Sequence, residues 1–213
     1  MPAFTADRLW PILAFAFALS FSPGPNNLIA LSSGASFGLR ATVPFVSGVA
    51  VGLPAMLLAV AAGLGGLLQA LPAMAVILKA AGTIYLLWLA WRIARSADLG
   101  TATVEGRARP VGFLQSCLLQ WINPKAWIVA VGGIATYATS ETLWPVTVAL
   151  MAIFCVVAWS GTALWAAFGV GVGRLLGSPA RVRLFNLAMA LLLVASLWPT
   201  LRELLAGLAA TAG

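Results

Sequence analysis

Apolar residues run along most of the chain in six long stretches, and the segments between these stretches are richer in polar residues. A transmembrane helix needs roughly 20 apolar residues to cross a hydrocarbon core about 30 Å thick. The pattern therefore predicts six transmembrane helices, at residues 9–31, 42–68, 72–92, 111–135, 143–173 and 184–207.

The composition agrees with this pattern. Hydrophobic residues make up 62% of the chain and charged residues 8%, and the mean hydropathy is +1.02. Soluble domains carry about 25% charged residues, so this chain falls far outside that class. The sequence predicts an all-α integral membrane protein whose surroundings are the lipid bilayer.

The basic residues are distributed unevenly between the two faces of the predicted bundle. Only Arg8 and Arg202 lie on the face that holds both chain ends. By the positive-inside rule, the face that is richer in arginine is cytoplasmic, so both termini are predicted to be periplasmic. The net charge of +7 thus reflects membrane orientation, and we expect no nucleic-acid partner. The arginines of the cytoplasmic face are Arg40, Arg92, Arg95, Arg107, Arg109, Arg174, Arg181 and Arg183.

Two of the predicted helices contain a proline motif near their middle. The first helix carries SPGPNN, with Pro23, Gly24 and Pro25, and the fourth carries INPK, with Pro124. Proline lacks a backbone donor and clashes with the preceding turn, so we expect each motif to end a helix. Irregular backbone at this depth survives only where it is buried in protein or lines a cavity. The first and fourth helices are therefore predicted to be broken.

The two halves of the chain share a weak internal repeat. A shift of 101 residues places Pro23 on Pro124 and Pro44 on Pro145. Because each half contains an odd number of helices, the second copy must be inverted in the membrane. The predicted units are two inverted three-helix repeats, residues 1–96 and 111–213, joined by a cytoplasmic linker at residues 97–110.

Inverted repeats with broken helices indicate the substrate site of a secondary transporter. The backbone N–H groups of Asn26 and Asn27, after the first break, form a partly positive helix end that suits a carboxylate. The carbonyl groups around Leu19 and Ser20 could hold an ammonium group. Asn26, Asn27 and Asn123 could instead only cap helix ends or bridge helices.

Two lysines fall inside predicted helices. Lys125 lies too deep to reach water, and such residues mark transport pathways by default. It could bind a substrate carboxylate, or it could cap the carbonyl groups of the first broken helix. Lys79 lies nearer the membrane surface, and we expect it to extend its ammonium group to the interface.

Three stretches resemble the lysine exporter (LysE/RhtB) family of bacterial amino-acid efflux proteins: SPGPNNLIALSSGASFG, KAAGTIYLLWLAWRI and LQWINPKAW. The PGPNN motif, combined with the later LQ and asparagine, most resembles the branch that exports cysteine and O-acetylserine. The resemblance implies a multi-pass protein of the bacterial inner membrane. It also implies two inverted repeats and export driven by the proton gradient.

The resemblance also implies which residues form the site. Many family members carry an acidic residue in the second helix, where this chain has Leu53 and Pro54. The group that would carry a coupling proton is therefore left open. The family motif residues in this chain are Pro23, Gly24, Pro25, Asn26, Gly82, Tyr85, Gln120, Asn123 and Pro124.

The charge of the predicted helices restricts the substrate. Every Asp and Glu falls in a loop or near a helix end, so a cationic amino acid would find no counter-charge and would meet Lys125. A small zwitterion such as cysteine, O-acetylserine, threonine or homoserine fits better.

Other functions are less consistent with the residues. A thiol-redox carrier would need a reactive cysteine pair, yet Cys117 and Cys155 form no CxxC motif. The chain has no histidine, so we expect neither a metal site nor a cofactor, and we find no nucleophile and base for an enzyme. A membrane adaptor that transports nothing remains open, and so does the choice between a monomer and a homodimer.

Overall fold

A computed structural model describes residues 6–95, 110–176 and 178–212, and this part of the chain is helical apart from short connections. The predicted all-α class is confirmed. The predicted linker at residues 97–110 lies, except for Pro110, outside the described residues. In chain order the α-helices are α1 (Ala6–Phe21), α2 (Pro25–Ala59), α3 (Gly65–Ala70), α4 (Pro72–Arg95), α5 (Phe113–Ile122), α6 (Pro124–Trp127), α7 (Gly133–Tyr137), α8 (Leu143–Leu176), α9 (Pro179–Ser196) and α10 (Trp198–Ala212).

Two short π-helical segments join α-helices, and the first of them is kinked at Gly63, which has a left-handed φ of 113°. Val60–Leu64 joins α2 to α3, and Ile128–Gly132 joins α6 to α7. Single π-helical turns often occur near functional sites. The second segment follows the break at Asn123 within two turns.

Prolines set the start of several helices. Pro25, Pro124 and Pro179 each occupy the first turn of α2, α6 and α9. Proline is favoured there because its missing N–H group has no partner in the helix and its φ angle is already helical. The same residue type that ends one helix thus begins the next.

The helix α2 folds back on itself at Gly38. The hydroxyl groups of Ser33 and Thr42 lie 3.0 Å apart, although nine residues of straight helix would separate them by about 13 Å along the axis. Gly38 has φ 81°, a left-handed value that a residue with a side chain rarely adopts. The predicted connection between the first two membrane helices is therefore a tight turn, and the thirty-five residues of α2 form a helical hairpin.

By length and composition, three stretches in the described residues could cross a membrane: Pro25–Leu67, which includes the turn at Gly38, Val76–Arg95 and Leu143–Leu176. A fourth is obtained if α9 and the start of α10, which meet at a bend of 43°, form one span. The helices α1 and α5 are apolar but short, because each ends at a predicted break. Six spans and their inverted arrangement therefore stay a prediction.

Glycines bring α2 and α8 into backbone contact. A Cβ atom on Gly34 would collide with the carbonyl of Ala166, and one on Gly169 would collide with the carbonyl of Leu31. Small residues allow such close approach between membrane helices, where packing drives association. This contact fixes the first half of α2, which begins at the break, against the long helix α8.

A second set of glycines holds the broken fourth helix. A Cβ on Gly52 would lie 2.7 Å from the Cα of Cys117, and one on Gly48 would collide with the carbonyl of Phe113. Gly82 of α4 similarly approaches the carbonyl of Ile122, the last residue of α5. The helix α5 thus packs against α2 at its start and middle and against α4 at its end.

We expect Gly169→Ala to destabilise the protein by about 1–3 kcal/mol, because the new methyl group overpacks the contact with Leu31. Gly171→Ala, on the same helix, is the matched control, since a Cβ there would meet nothing within 4 Å. Thermal unfolding of both variants in detergent measures the difference. Equal stability of the two variants would contradict this account of the interface.

Candidate binding site between two broken helices

The first break connects α1 to α2 through three residues, Ser22, Pro23 and Gly24. Gly24 is fully extended, with φ 178° and ψ 176°. A Cβ atom there would lie 3.0 Å from the Cδ atom of Lys125 and 3.1 Å from its Nζ atom. The glycine thus leaves room for the Lys125 side chain, which reaches the break from α6.

The carbonyl groups at the end of α1 accept hydrogen bonds from side chains. The Nδ2 atom of Asn27 donates to the carbonyls of Ser20, at 2.7 Å, and Ser22, at 2.9 Å. The Nζ atom of Lys125 donates to the carbonyl and the hydroxyl oxygen of Ser22, both at 2.9 Å. The site expected to hold a ligand ammonium is therefore occupied by amino groups of the chain itself.

Indole groups satisfy one freed carbonyl at each break. Trp165 of α8 donates to the carbonyl of Phe21 at 3.0 Å, and Trp127 donates to the carbonyl of Trp121 at 2.8 Å. Such donors are necessary because an unsatisfied backbone group in an apolar medium costs several kcal/mol. Both breaks are thus stabilised from within the protein.

The second break consists of Asn123, which is extended, with φ −86° and ψ 112°. Its side chain accepts a hydrogen bond from the backbone N–H of Lys125 at 3.0 Å and so caps α6. By contrast, Gly24 at the start of α2 makes no side-chain cap. The two helix starts therefore differ: α6 is capped by its own asparagine, while the N-terminus of α2 has no such cap.

The two breaks contact each other directly. The amide groups of Asn26 and Gln120 form a reciprocal pair, with donor–acceptor distances of 2.9 and 3.4 Å. Gln120 is fully buried and also donates to the carbonyl of Ser116 at 3.0 Å. Together with the bond from Lys125 to Ser22, this pair links residues about a hundred positions apart in sequence.

A small cavity of about 40 Å³, lined by both polar and apolar residues, lies where the two breaks meet. This volume suits about one water molecule, so an amino acid can enter only if the walls move apart. Apolar residues, among them Leu53 and Phe154, also line it, and Lys125 is the single ionisable residue among the described residues of the lining. The predicted site residues in the lining are Gly24, Asn26, Asn27, Gln120, Asn123 and Lys125.

The other predicted residues lie elsewhere. Tyr85 accepts a hydrogen bond from Gln115 at 2.9 Å and does not reach the cavity lining. Pro23 is exposed, and Pro25 is buried in the first turn of α2. Pro124 faces a different cavity. The three prolines therefore shape the breaks, while the polar side chains beside them form the cavity.

Three residues that form or accept hydrogen bonds at the site, or add a hydroxyl group to it, were not predicted from the sequence. Ser22 accepts the Lys125 ammonium, Trp165 donates to the end of α1, and Thr162 lines the cavity. Ser22 is the first residue of the SPGPNN motif and could have been found from it. Nothing in the sequence signals the other two, because they come from α8, far along the chain.

A larger cavity of about 610 Å³ lies on the other face of α6. Pro124 and Trp127 form one wall, and Lys79 and Glu203 lie on another. Lys79 forms an ion pair with Glu203 of α10. Lys79 was expected only to extend its ammonium group to the membrane interface, without an acidic partner. Its partner was not predicted, because Glu203 was placed at a helix end and lies instead within α10.

The cysteines take no part in the cavity. Cys117 donates from Sγ to the carbonyl of Gly48 at 3.3 Å, and Cys155 is exposed on α8. Neither forms a disulfide. Within the described residues, no group of three or more His, Cys, Asp or Glu side chains could hold a metal ion.

The sequence profile of the family described as "LysE type translocator" matches residues 17–196. The chain is 33% identical to a cysteine/O-acetylserine efflux protein of Shigella flexneri serotype 5b, over 86% of this chain and 95% of that protein. It is 32% identical to the protein of the same name from Escherichia coli K12, over 89% of this chain and 95% of that protein. A Klebsiella pneumoniae protein of that name is 34% identical over 69% of this chain and 75% of its own length. No solved structure matches the chain.

We expect Asn27→Ala to destabilise the protein by about 1–3 kcal/mol, because it removes the side-chain donor of the Ser20 carbonyl and one of the two donors of the Ser22 carbonyl, both in the partly buried break. Ser160→Ala is the control, since the exposed Ser160 hydroxyl bonds only within its own helix. Unfolding in detergent compares the two variants. If Asn27→Ala were as stable as Ser160→Ala, the Asn27 side chain would not stabilise the break between α1 and α2.

Proposed function

Because the chain belongs to the LysE family and is an amino-acid efflux transporter of the bacterial inner membrane rather than an enzyme, we propose that it exports small neutral amino acids. The substrates proposed are cysteine and O-acetylserine, or amino acids such as threonine and homoserine. The observation that carries this proposal is the contact between the two breaks, where a polar cavity holds one ionisable group and no carboxylate.

The charge of the cavity favours a zwitterion. The ammonium of Lys125 points at the break, and the lining contains no acidic residue. A cationic amino acid would bring a net positive charge into a poorly solvated place that offers no counter-charge. A zwitterion brings a positive and a negative group of its own and needs one partner for each.

The broken first helix offers both partners. The start of α2 has no side-chain cap, so the backbone amides of Asn26 and Asn27 suit the substrate carboxylate. The carbonyls of Ser20 and Ser22 suit the substrate ammonium, because they already accept hydrogen bonds from the side-chain amide of Asn27 and, at Ser22, from the ammonium of Lys125. Binding would exchange these internal donors for the substrate.

The size of the site favours small side chains. The cavity holds only about 40 Å³, and Leu53, Phe154 and Ala158 lie in its lining. Transport therefore requires the two halves of the bundle to move apart around the breaks, first on one face of the membrane and then on the other. The reciprocal bond between Asn26 and Gln120 crosses this junction and would open and close with it.

The architecture we infer has six spans. The first consists of α1 and the start of α2, and the fourth consists of α5 with the short helices that follow it. Residues 1–96 and 111–213 would form the two inverted repeats, with both termini periplasmic and export driven by the proton gradient. The paired breaks at Pro23 and Pro124 support this arrangement.

The test is counter-transport by the purified protein in proteoliposomes. Labelled cysteine, O-acetylserine and threonine are each exchanged against an internal excess of the same amino acid, with lysine as the comparison. We expect exchange of the small neutral amino acids and none of lysine. Efficient lysine exchange would refute the substrate class, and a folded protein that exchanged no amino acid would favour a membrane adaptor.

Gln120→Ala tests the site itself. It removes a buried amide that holds Asn26 in place, and we expect the apparent affinity for the substrate to fall about tenfold, the equivalent of one lost hydrogen bond of about 1.4 kcal/mol. Ser196→Ala, whose hydroxyl bonds within its own helix α9, is the control. If folded Gln120→Ala bound the substrate with unchanged affinity, the junction between the breaks would not be part of the substrate site.

A further inference from the structure

We propose that Lys125 is the group that couples export to the proton gradient, by occupying the place of the substrate ammonium whenever it is protonated. This inference rests on the proposed function, since it assumes that the substrate binds at the first break. It assigns the coupling to an amine on α6 instead of a carboxylate.

The geometry supports competition for one position. The Nζ atom of Lys125 lies 2.9 Å from the carbonyl oxygen of Ser22 and 2.9 Å from its hydroxyl oxygen. The same carbonyl is the proposed acceptor for the substrate ammonium, and Gly24 leaves the space in which Nζ lies. Two ammonium groups cannot share this position, because like charges at contact distance repel strongly where water is scarce.

No other ionisable group of the described chain lines the cavity. Besides the segment that carries Lys125, the described residues that line the cavity come from α1, the first break, α2, α5 and α8. Asp7 and Arg8 lie in the first turn of α1, and their backbone positions are about 20 Å along the helix axis from Ser22. The remaining ionisable residues on these helices, none of which is in the lining, are Arg40, Cys117, Cys155 and Arg174.

A lysine can release and take up a proton during the transport cycle, and an arginine cannot. A lysine that is partly removed from water and lacks a carboxylate partner can exchange its proton with solvent, whereas a guanidinium keeps its charge at any ordinary pH. Lys125 meets both conditions, since its side chain contacts oxygen atoms of Ser22 and no acidic residue.

The cycle then balances in charge and protons. On the cytoplasmic side Lys125 gives its proton to water, the neutral amine leaves Ser22, and the substrate ammonium binds there. On the periplasmic side Lys125 takes a proton from water, and its ammonium displaces the substrate. One proton enters the cell for each zwitterion that leaves, so each cycle moves one positive charge inward.

The wild-type protein provides the first test. Proteoliposomes with equal pH on both sides exchange labelled cysteine between pH 5.5 and 7.5, where the charge of the substrate is nearly constant. Competition predicts that the apparent KM rises up to tenfold for each unit of pH lowered, while the maximal rate stays constant. An apparent KM that does not depend on pH over this range would overturn the proposal.

Variants provide the second test, with two activities measured for each. One is exchange without a gradient, and the other is uphill cysteine transport driven by an imposed pH gradient, followed together with proton entry by a pH-sensitive dye. For Lys125→Met we expect the ratio of uphill transport to exchange to fall at least tenfold. Lys79→Met, which removes the lysine of the other cavity, should keep the wild-type ratio.

Lys125→Arg separates coupling from structural capping. It retains a positive donor at the break but cannot release a proton, so we expect it to lose uphill transport as Lys125→Met does. If Lys125 only caps Ser22, the arginine should restore coupling relative to methionine, and that result would overturn the proposal. Wild-type protein that exchanged no amino acid at all would instead refute the proposed function on which this inference rests.

Discussion

The structure depends on one constraint: the backbone groups that a broken helix exposes inside a membrane must find partners within the protein. At the end of α1 these partners are Asn27, Lys125 and Trp165, which come from three different helices. The break can therefore exist only when α2, α6 and α8 are packed against it. The glycine contacts of α2 with α8, and of α2 and α4 with α5, supply that packing.

The same constraint accounts for the site. Groups that satisfy a freed carbonyl by hydrogen bonding can be replaced by a ligand that offers an equivalent donor, at little net cost. An amide of Asn27 and an ammonium of Lys125 occupy the carbonyl end of the first break, while the helix start at Gly24 has no side-chain cap. A free amino acid carries an ammonium group that suits the carbonyl end of α1 and a carboxylate that suits the N-terminus of α2. Under the proposed function, the protein's own side chains thus occupy the position of the substrate in this structure.

The sequence was sufficient for the local features of this site. Proline chemistry located both breaks, and polarity within apolar stretches identified Asn26, Asn27, Asn123 and Lys125, all of which line the cavity. The family resemblance added Gln120, which lies there too, and Tyr85, which does not. The all-α class and the family membership were also predicted correctly.

What the sequence could not predict depends on contacts between distant segments. The bond from Trp165 to Phe21 and the ion pair of Lys79 with Glu203 join residues more than a hundred positions apart. Hydropathy gave the helices but not the tight turn at Gly38, because one φ angle decides it. A pattern along the chain does not contain this information, since it arises only when the helices pack.

The central claim is that the substrate binds where the two broken helices meet. A structure of the protein with O-acetylserine bound tests it most directly. The account predicts the substrate carboxylate at the backbone amides of Asn26 and Asn27 and its ammonium at the carbonyl of Ser22, with Lys125 displaced from that carbonyl. Substrate bound instead beside Lys79 and Glu203, with the contacts of Lys125 to Ser22 unchanged, would contradict it.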